Sequence, residues 1–297
     1  MKKLSVKKNF LIIGCAGYIA KKHIESIYQL NHSVIAAFDL NSNVGFLDSY
    51  SKNILFISTI SDLKKFLKSN SNIDYIVICS PNYTHTKYIK LAYDHNIDVI
   101  CEKPLCISKN SLNKISSLEK SNRIKIFSIM QLRYSENISK LKKIISNLKK
   151  NEIELLYFTP RGNWYDSTWK GNEDKSGGLI FNIGVHLFDF LILLFNDPIS
   201  YKIQKSSNRK ANGLIKFKKF TVNWTISINE NDLPKSYKKK GSLRAIKTSE
   251  GFFHLSEKFN NLHLRSYEEI IKNRGFNVSS VFKTINFIDK MRNNQKL

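Results

Sequence analysis

The sequence predicts a two-part α/β chain: a doubly wound parallel sheet first, then an α+β domain with a mostly antiparallel sheet. Up to about residue 130, short apolar runs alternate with amphipathic stretches, as parallel strands buried on both faces alternate with crossover helices. Beyond that point longer β-type runs follow one another with few helices between them, the pattern of an α+β domain. A length of 297 residues accommodates two domains, set at 1–130 and 131–297. The boundary is soft, near 125–135, because no Gly/Ser linker marks it.

Residues 10–13 read as a buried first strand, and 14–17 as the turn that ends it. Ile19, Ala20, Ile24, Ile27 and Leu30 share one face of a helix over 18–30. A second strand over 34–38 ends at Asp39, and 63–67 suggests another helix. A third strand, 75–79, is closed by Ser80-Pro81-Asn82; a helix over 88–93 and a strand over 98–101 follow. A helix over 110–118 and a strand over 124–129 complete the first half. In the second half a helix over 136–149 leads to strands over 153–158, 201–203, 214–217 and 220–228, with one apolar helix over 185–194. Ser266-x-x-Glu269 has the form of a capping box opening a late helix.

With 42% hydrophobic residues the chain can bury substantial cores. It contains no apolar run of about 18 residues, which predicts no membrane span. The basic residues 1–9 lead into an apolar run too short for a signal-peptide core, so a cytoplasmic protein is expected. The four cysteines, Cys15, Cys79, Cys101 and Cys106, lack C-x-x-C spacing and flanking histidines, which predicts free thiols and no metal. The net charge of +24 raises the question of nucleic acid. The excess is scattered lysine, with only eight arginines, and reads as a solvated basic surface without a nucleic-acid partner. Such a field also attracts small anions.

The first strand, glycine turn and helix stand in the order of a dinucleotide site. Glycines let backbone approach a pyrophosphate, and the helix N-terminus offers free N–H groups. Asp39 ends the next strand at the position of a carboxylate that binds a ribose hydroxyl, which favours NAD over NADP. This predicts a Rossmann domain. The strict G-x-G-x-x-G pattern is absent; Gly14-Cys15-Ala16-Gly17-Tyr18-Ile19-Ala20 is one residue longer, with Gly17-x-x-Ala20 as its end. Gly14, Ala16, Gly17, Tyr18, Ile19 and Asp39 are the candidate cofactor contacts, although Tyr18 fits simple exposure beside the loop equally well.

A strand ending in Cys101-Glu102-Lys103-Pro104, after one ending in Ser80-Pro81-Asn82 with His85 three residues on, resembles the Gfo/Idh/MocA oxidoreductases. The run from Ser176-Gly177-Gly178 through Asn182 and His186 to Asp189 continues the likeness into the second half. Within that family the chain is most similar to the WlbA/WbpB-type UDP-N-acetyl-2-amino-2-deoxyglucuronate dehydrogenases. Arg161-Gly162-Asn163-Trp164-Tyr165, Trp169-Lys170-Gly171 and Asn231-Asp232-Leu233-Pro234 carry that closer likeness.

The resemblance implies NAD-dependent oxidation of the C3 hydroxyl of UDP-N-acetylglucosaminuronate, for surface polysaccharide sugars. It also implies a homotetramer and, in some relatives, cofactor recycling by 2-oxoglutarate. It adds Ser80, Pro81, Asn82, His85, Glu102 and Lys103 to the cofactor contacts, and sets Lys103 and His186 facing each other across the reacting hydroxyl. Asn182 stands where the wider family often has Asp, which points to the nucleotide-sugar subgroup.

An alcohol oxidation needs a base for the hydroxyl proton. His186 suits that role by its ordinary pKa, while its place at the start of an apolar helix equally fits a core histidine. Lys103 could stabilise alkoxide character or act as the base itself. Arg161 and Lys170 are candidates for the substrate's anions, and Asn163, Trp164, Tyr165 and Asn182 for the sugar. Ordinary packing remains open for the aromatics. Another sugar or a cyclitol as substrate, or a non-catalytic regulator of the same fold, are the competing readings.

Overall fold

A computed structural model describes residues 6–148, 152–255 and 261–294, which form two compact units. The first comprises residues 6–106, Asn110–Gln131 and His263–Ser280; the second comprises Ile107–Lys109, Leu132–Leu262 and the chain from Val281. The chain thus leaves the first unit near Gln131 and returns to it for 18 residues, a return that a single boundary near residue 130 does not contain.

The first unit is built from β1 (Asn9–Ile13), α1 (Ala20–Gln29), β2 (Ser33–Phe38), β3 (Leu55–Ile57), α2 (Ile60–Ser69), β4 (Tyr75–Ile78), α3 (His85–Asp94), β5 (Asp98–Cys101), α4 (Lys109–Lys120) and β6 (Ile126–Ser128). Its six strands are parallel, in the order β3-β2-β1-β4-β5-β6. The order reverses between β1 and β4, where their C-terminal ends leave a crevice. The central strands are apolar on both faces because helices cover both: Phe10 to Ile13 and Ile76 to Ile78 have no exposed surface. In α1, Ala20, His23, Ile24 and Ile27 are buried, the spacing that puts four side chains on one stripe. Several helices are followed by asparagines with positive φ, such as Asn31, Asn96 and Asn122, where asparagine takes the place glycine often holds.

The second unit contains α5 (Glu136–Ser146), β7 (Glu152–Phe158), α6 (Glu173–Ser176), α7 (Gly178–Asn182), α8 (Val185–Phe195), β8 (Ser200–Ser206), β9 (Lys210–Lys216), β10 (Thr221–Ser227), β11 (Leu243–Thr248) and β12 (Gly251–His254). Its sheet runs β12-β11-β7-β10-β9-β8, antiparallel except for the central β7–β10 pair. Alternate residues Val222, Trp224 and Ile226 of β10 are buried, and Phe188 of α8 meets the Trp224 ring edge-on at 5.2 Å. The parallel sheet and the mostly antiparallel second sheet are the predicted architecture.

Two further helices follow, α9 (Leu262–Ile271) in the returning segment and α10 (Val278–Asn294). The expected capping box is overturned: α9 begins at Leu262, so Ser266 lies mid-helix and buried. The four cysteines are buried and form no disulfide. Among the described residues no single helix is long and apolar enough to cross a membrane.

Candidate active site

The C-terminal ends of the first unit's strands bring the predicted cofactor residues to one edge. Gly14 follows β1 with φ +86°, and its N–H donates to Phe38 O at 2.8 Å. A Cβ there would lie 2.5 Å from Ser80 N and 2.7 Å from Cys79 C, so the β1 turn and the β4 loop meet backbone to backbone. Only glycine allows that approach in that conformation. Ala16 N–H donates to Asp39 Oδ2 at 2.9 Å, and Asn41 N–H to Oδ1 at 2.9 Å. The carboxylate thereby ties the end of β2 to the glycine turn. Helix α1 starts after Ile19 with no side-chain cap; its Ala20 and Lys22 N–H groups donate back to Gly17 O and Ile19 O at 3.0 Å, and its positive dipole end favours an anion. A dinucleotide fits this edge. Ala16 and Gly17 are partly exposed, Ile19 is partly buried, and Tyr18 is 82% exposed.

The β4 loop is held internally. Ser80 Oγ and Thr84 Oγ1 are 2.6 Å apart, and Thr84 Oγ1 donates to Pro81 O at 2.7 Å. Asn82 is buried and Pro81 partly exposed. His85, the first residue of α3, is fully buried, with Nδ1 2.9 Å from Pro104 O and Nε2 2.9 Å from Ser80 O. It acts from behind the loops, joining the β4 loop to the β5 turn. Burial pushes its imidazole down, against the raising effect of those carbonyls. A neutral ring has one N–H and satisfies one of the two carbonyls at a time.

At the end of β5, Glu102 is buried and Lys103 partly exposed, and the Lys103–Pro104 peptide is cis. Glu102 Oε1 lies 3.0 Å from His23 Nε2 and 3.5 Å from His263 Nε2, and Oε2 accepts the Lys103 N–H at 3.1 Å. Burial would raise this carboxyl, but the two imidazoles outweigh it and hold it well below the carboxylate range. Sequence reasoning missed His23, His263 and Tyr267. The one local hint is a histidine on the apolar stripe of α1.

In the second unit, His186 is the second residue of α8 and is buried. It lines a small cavity with Tyr157, Leu187, Phe190 and Arg244. The preceding run turns twice to reach it. Gly177, at φ +83°, closes α6 and opens α7, and a Cβ there would lie 2.6 Å from Phe181 Cβ. Asn182 ends α7 and donates through Nδ2 to Tyr165 Oη at 2.8 Å, so it orients the buried phenol. Asn163 and Trp164 are exposed on the same turn. Lys170 Nζ sits 5.0 Å from the Trp164 ring centre.

Arg161 and Lys170 carry the electrostatics of this region. Burial pushes both pKa values down, and each feels a further positive neighbour, Arg244 at Arg161 and Arg161 at Lys170. Arg161 Nη1 donates to Pro160 O at 3.0 Å. Among the described residues no carboxylate forms an ion pair with Arg161 or Lys170, and nearby Asp166 pairs with Arg209 instead. Like charges held together half-buried are relieved by a bound anion. Arg133 is committed elsewhere, forked onto Asp189 at 2.9 and 2.6 Å, with Thr284 donating to the same carboxylate at 2.7 Å.

Comparison with known proteins bears on both units. The NAD-binding Rossmann domain of the Gfo/Idh/MocA oxidoreductases matches residues 8–129, and that family's C-terminal α/β domain matches residues 142–232. The WlbA (WbpB) dehydrogenase of Thermus thermophilus is 28% identical, with TM-score 0.89 over 96% of this chain and 94% of that one. Its crystal structures contain NAD with alpha-ketoglutarate and NAD with UDP-GlcNAcA. The uncharacterized oxidoreductase YrbE of Bacillus subtilis is 28% identical over 192 residues, 64% of this chain and 54% of that protein. Glucose-6-phosphate 3-dehydrogenase of Bacillus subtilis is 25% identical over 221 residues, 71% of this chain and 59% of that protein. The match thus spans about half the length of these curated relatives.

Proposed function

The chain belongs to the Gfo/Idh/MocA family of NAD-dependent oxidoreductases, and we propose that it oxidises the C3 hydroxyl of UDP-N-acetylglucosaminuronate to the 3-keto sugar, a step toward surface polysaccharide sugars. The observation that carries the substrate class is the pair Arg161 and Lys170, half-buried, mutually repelling and without a carboxylate partner among the described residues. A substrate with a pyrophosphate and a uronate carboxylate supplies the missing charge. The UDP-GlcNAcA complex of the Thermus thermophilus relative supports the same reading. Trp164, beside Lys170 and exposed, offers a face for a ring, and Asn163 a hydrogen-bonding amide.

Bound NAD⁺ supplies the hydride acceptor. The chain's residues have to hold the sugar, exclude water and take the hydroxyl proton as the C3–H bond transfers its electron pair. His186 and Lys103 are the proton-handling residues of this proposal. Tyr165 and Asn182 act together: the amide fixes the phenol, and the phenol borders the run that presents His186. Alpha-ketoglutarate in the Thermus thermophilus crystals supports 2-oxoglutarate as a re-oxidant of the cofactor. A homotetramer is the assembly this proposal expects, tested by mass in solution.

The experiment is NADH formation measured across UDP-GlcNAcA, UDP-GlcNAc, glucose 6-phosphate and myo-inositol, with and without 2-oxoglutarate. Turnover confined to the uronate nucleotide is expected, with KM rising about tenfold or more in Arg161→Ala, the effect of losing one charge-assisted contact. Preference for glucose 6-phosphate would move the assignment to a sugar phosphate, as the second Bacillus subtilis relative would suggest. An unchanged KM in Arg161→Ala would remove that residue from the substrate site.

A further inference from the structure

Three histidines of the first unit surround the turn that carries Lys103, and each acts from the protein side. His85 reaches Pro104 O from α3, while His23 from α1 and His263 from α9 converge on Glu102 Oε1. We propose that Tyr267, His23, Glu102 and His263 form a buried relay that holds the Glu102–Lys103 turn in its working shape, with His23 and His263 as positioning residues for the oxidoreductase. The link to catalysis rests on the assignment of Lys103 above; the relay itself stands on geometry alone.

Donor and acceptor roles close for Tyr267, His23 and Glu102. An ionised carboxylate only accepts, so His23 Nε2, 3.0 Å from Oε1, carries the hydrogen. The neutral ring then accepts at Nδ1, and the Tyr267 hydroxyl 2.8 Å away donates to it. His263 Nε2, at 3.5 Å, directs a second, longer contact at the same oxygen, and Oε2 receives the Lys103 N–H at 3.1 Å. Residue 103 is therefore joined by its own backbone to a chain of polar groups that ends at a phenol on α9.

The surroundings leave this carboxylate as the principal charge. Burial pushes the thiols of Cys79 and Cys101 and the phenol of Tyr267 well above their ordinary ranges, so all three stay protonated at neutral pH. His85, which also feels Glu102, is pushed down by burial, as is His23. Glu102, His23 and Tyr267 are at least nine-tenths buried, and His263 is the outer member, with 13% of its side chain exposed. His23, Glu102 and His263 also present three ligand atoms within 4.8 Å of one another, a spacing that a metal ion could share. The matched hydrogen-bond roles of Tyr267, His23 and Glu102 favour a proton-held relay, and the test separates the two.

The test has a substrate-free arm and a kinetic arm. Ring ¹H–¹⁵N spectra of the full chain with NAD⁺ are expected to show His23 as the Nε2–H tautomer with a slowly exchanging ring proton, lost in Glu102→Gln. A His23 Nδ1–H tautomer, or one stoichiometric metal ion in purified protein, would overturn the relay. In the kinetic arm, His263→Leu is expected to lower kcat about tenfold with KM for NAD⁺ changed less than about threefold, and His263→Gln, which keeps an N–H donor, to recover most of it. Folded His263→Leu with unchanged kcat, or His263→Gln as impaired as His263→Leu, would refute the positioning role. His23→Gln, which keeps a donor, covers the case in which His23→Leu does not fold. If the wild-type chain turns over no uronate nucleotide, the substrate assignment fails alone, since the spectra read the relay without substrate.

Discussion

At Gly14 a single methyl group separates two outcomes. The residue sits at φ +86°, and a Cβ would lie 2.5 Å from the backbone nitrogen of Ser80. Positive φ alone costs a non-glycine residue about 1–2 kcal/mol, and the contact with rigid backbone adds to it. Relief requires the β1 turn to move from the β4 loop, the two segments that border the cofactor edge. Gly14→Ala is therefore expected to weaken NADH binding by at least about tenfold and to lower the unfolding temperature. Fluorescence titration and thermal unfolding check this. Gly17→Ala is the internal comparison: its Cβ would meet Gly14 O at 3.2 Å and Cys79 O at 3.6 Å, without positive φ, so the effect should be smaller. Equal and full binding by both variants would detach the turn from the cofactor.

At the scale of elements, α8 depends on the sheet beneath it to aim His186. Phe188 meets Trp224 edge-on, and Trp224 is 1% exposed at the centre of β10. Trp224→Ala should cost about 3–5 kcal/mol, the range for deleting a buried aromatic, and should lower kcat by loosening α8. Chemical denaturation measures the first effect and steady-state kinetics the second; a loss below about 1 kcal/mol would mean that the helix is held elsewhere. Elements of this kind were legible where burial is two-sided. The apolar runs of β1, β2, β4 and β5 stand out from the chain because nothing polar interrupts them, and α8 stands out because only His186 and Asp189 break its apolar run. β8 was only partly legible, with mostly polar, exposed residues in Ser200–Ser206, and β12 was missed, its Gly251 and Phe252 lying at a solvent-facing edge. α9 was misplaced by its serine: Ser266 looks like a cap when only local spacing is visible, but it is buried in the middle of the helix. The same contrast holds in the site. Gly14 and Asp39 are joined by local order along the chain, whereas His23 and Tyr267 meet across 244 residues, and no periodicity announces such a pair.

For the whole molecule, charge and burial act together as pH falls. The chain carries +24 at neutral pH with its histidines uncharged, so each further proton adds to existing self-repulsion. Burial holds His23, His32 and His85 below the ordinary histidine value of 6.5. A folded-state pKa below the unfolded one means that the unfolded chain binds more protons between the two values. The resulting stability is complete above 6.5 and is lost as pH falls from 6.5 through the folded values. Two of the rings also have a hydrogen-bonding reason to stay neutral, while for His85 burial alone opposes the two carbonyls. His32 Nδ1 accepts the Lys8 N–H at 3.2 Å, and His23 Nδ1 lies 2.8 Å from the Tyr267 hydroxyl. Glu102, held well below 4.5, has the same sign and a lower window: its contribution persists until acid protonates the carboxylate. Thermal unfolding followed from about pH 8 to pH 5 should therefore be level on the alkaline side and decline below about 6.5. Added salt should lessen the part of the decline due to repulsion and leave the part due to buried rings, because screening acts weakly inside the protein. His32→Gln, with an amide in place of a titrating ring, should flatten the upper end of the decline; a profile level down to about pH 5 in the wild-type chain would contradict the neutral, buried state of all three rings.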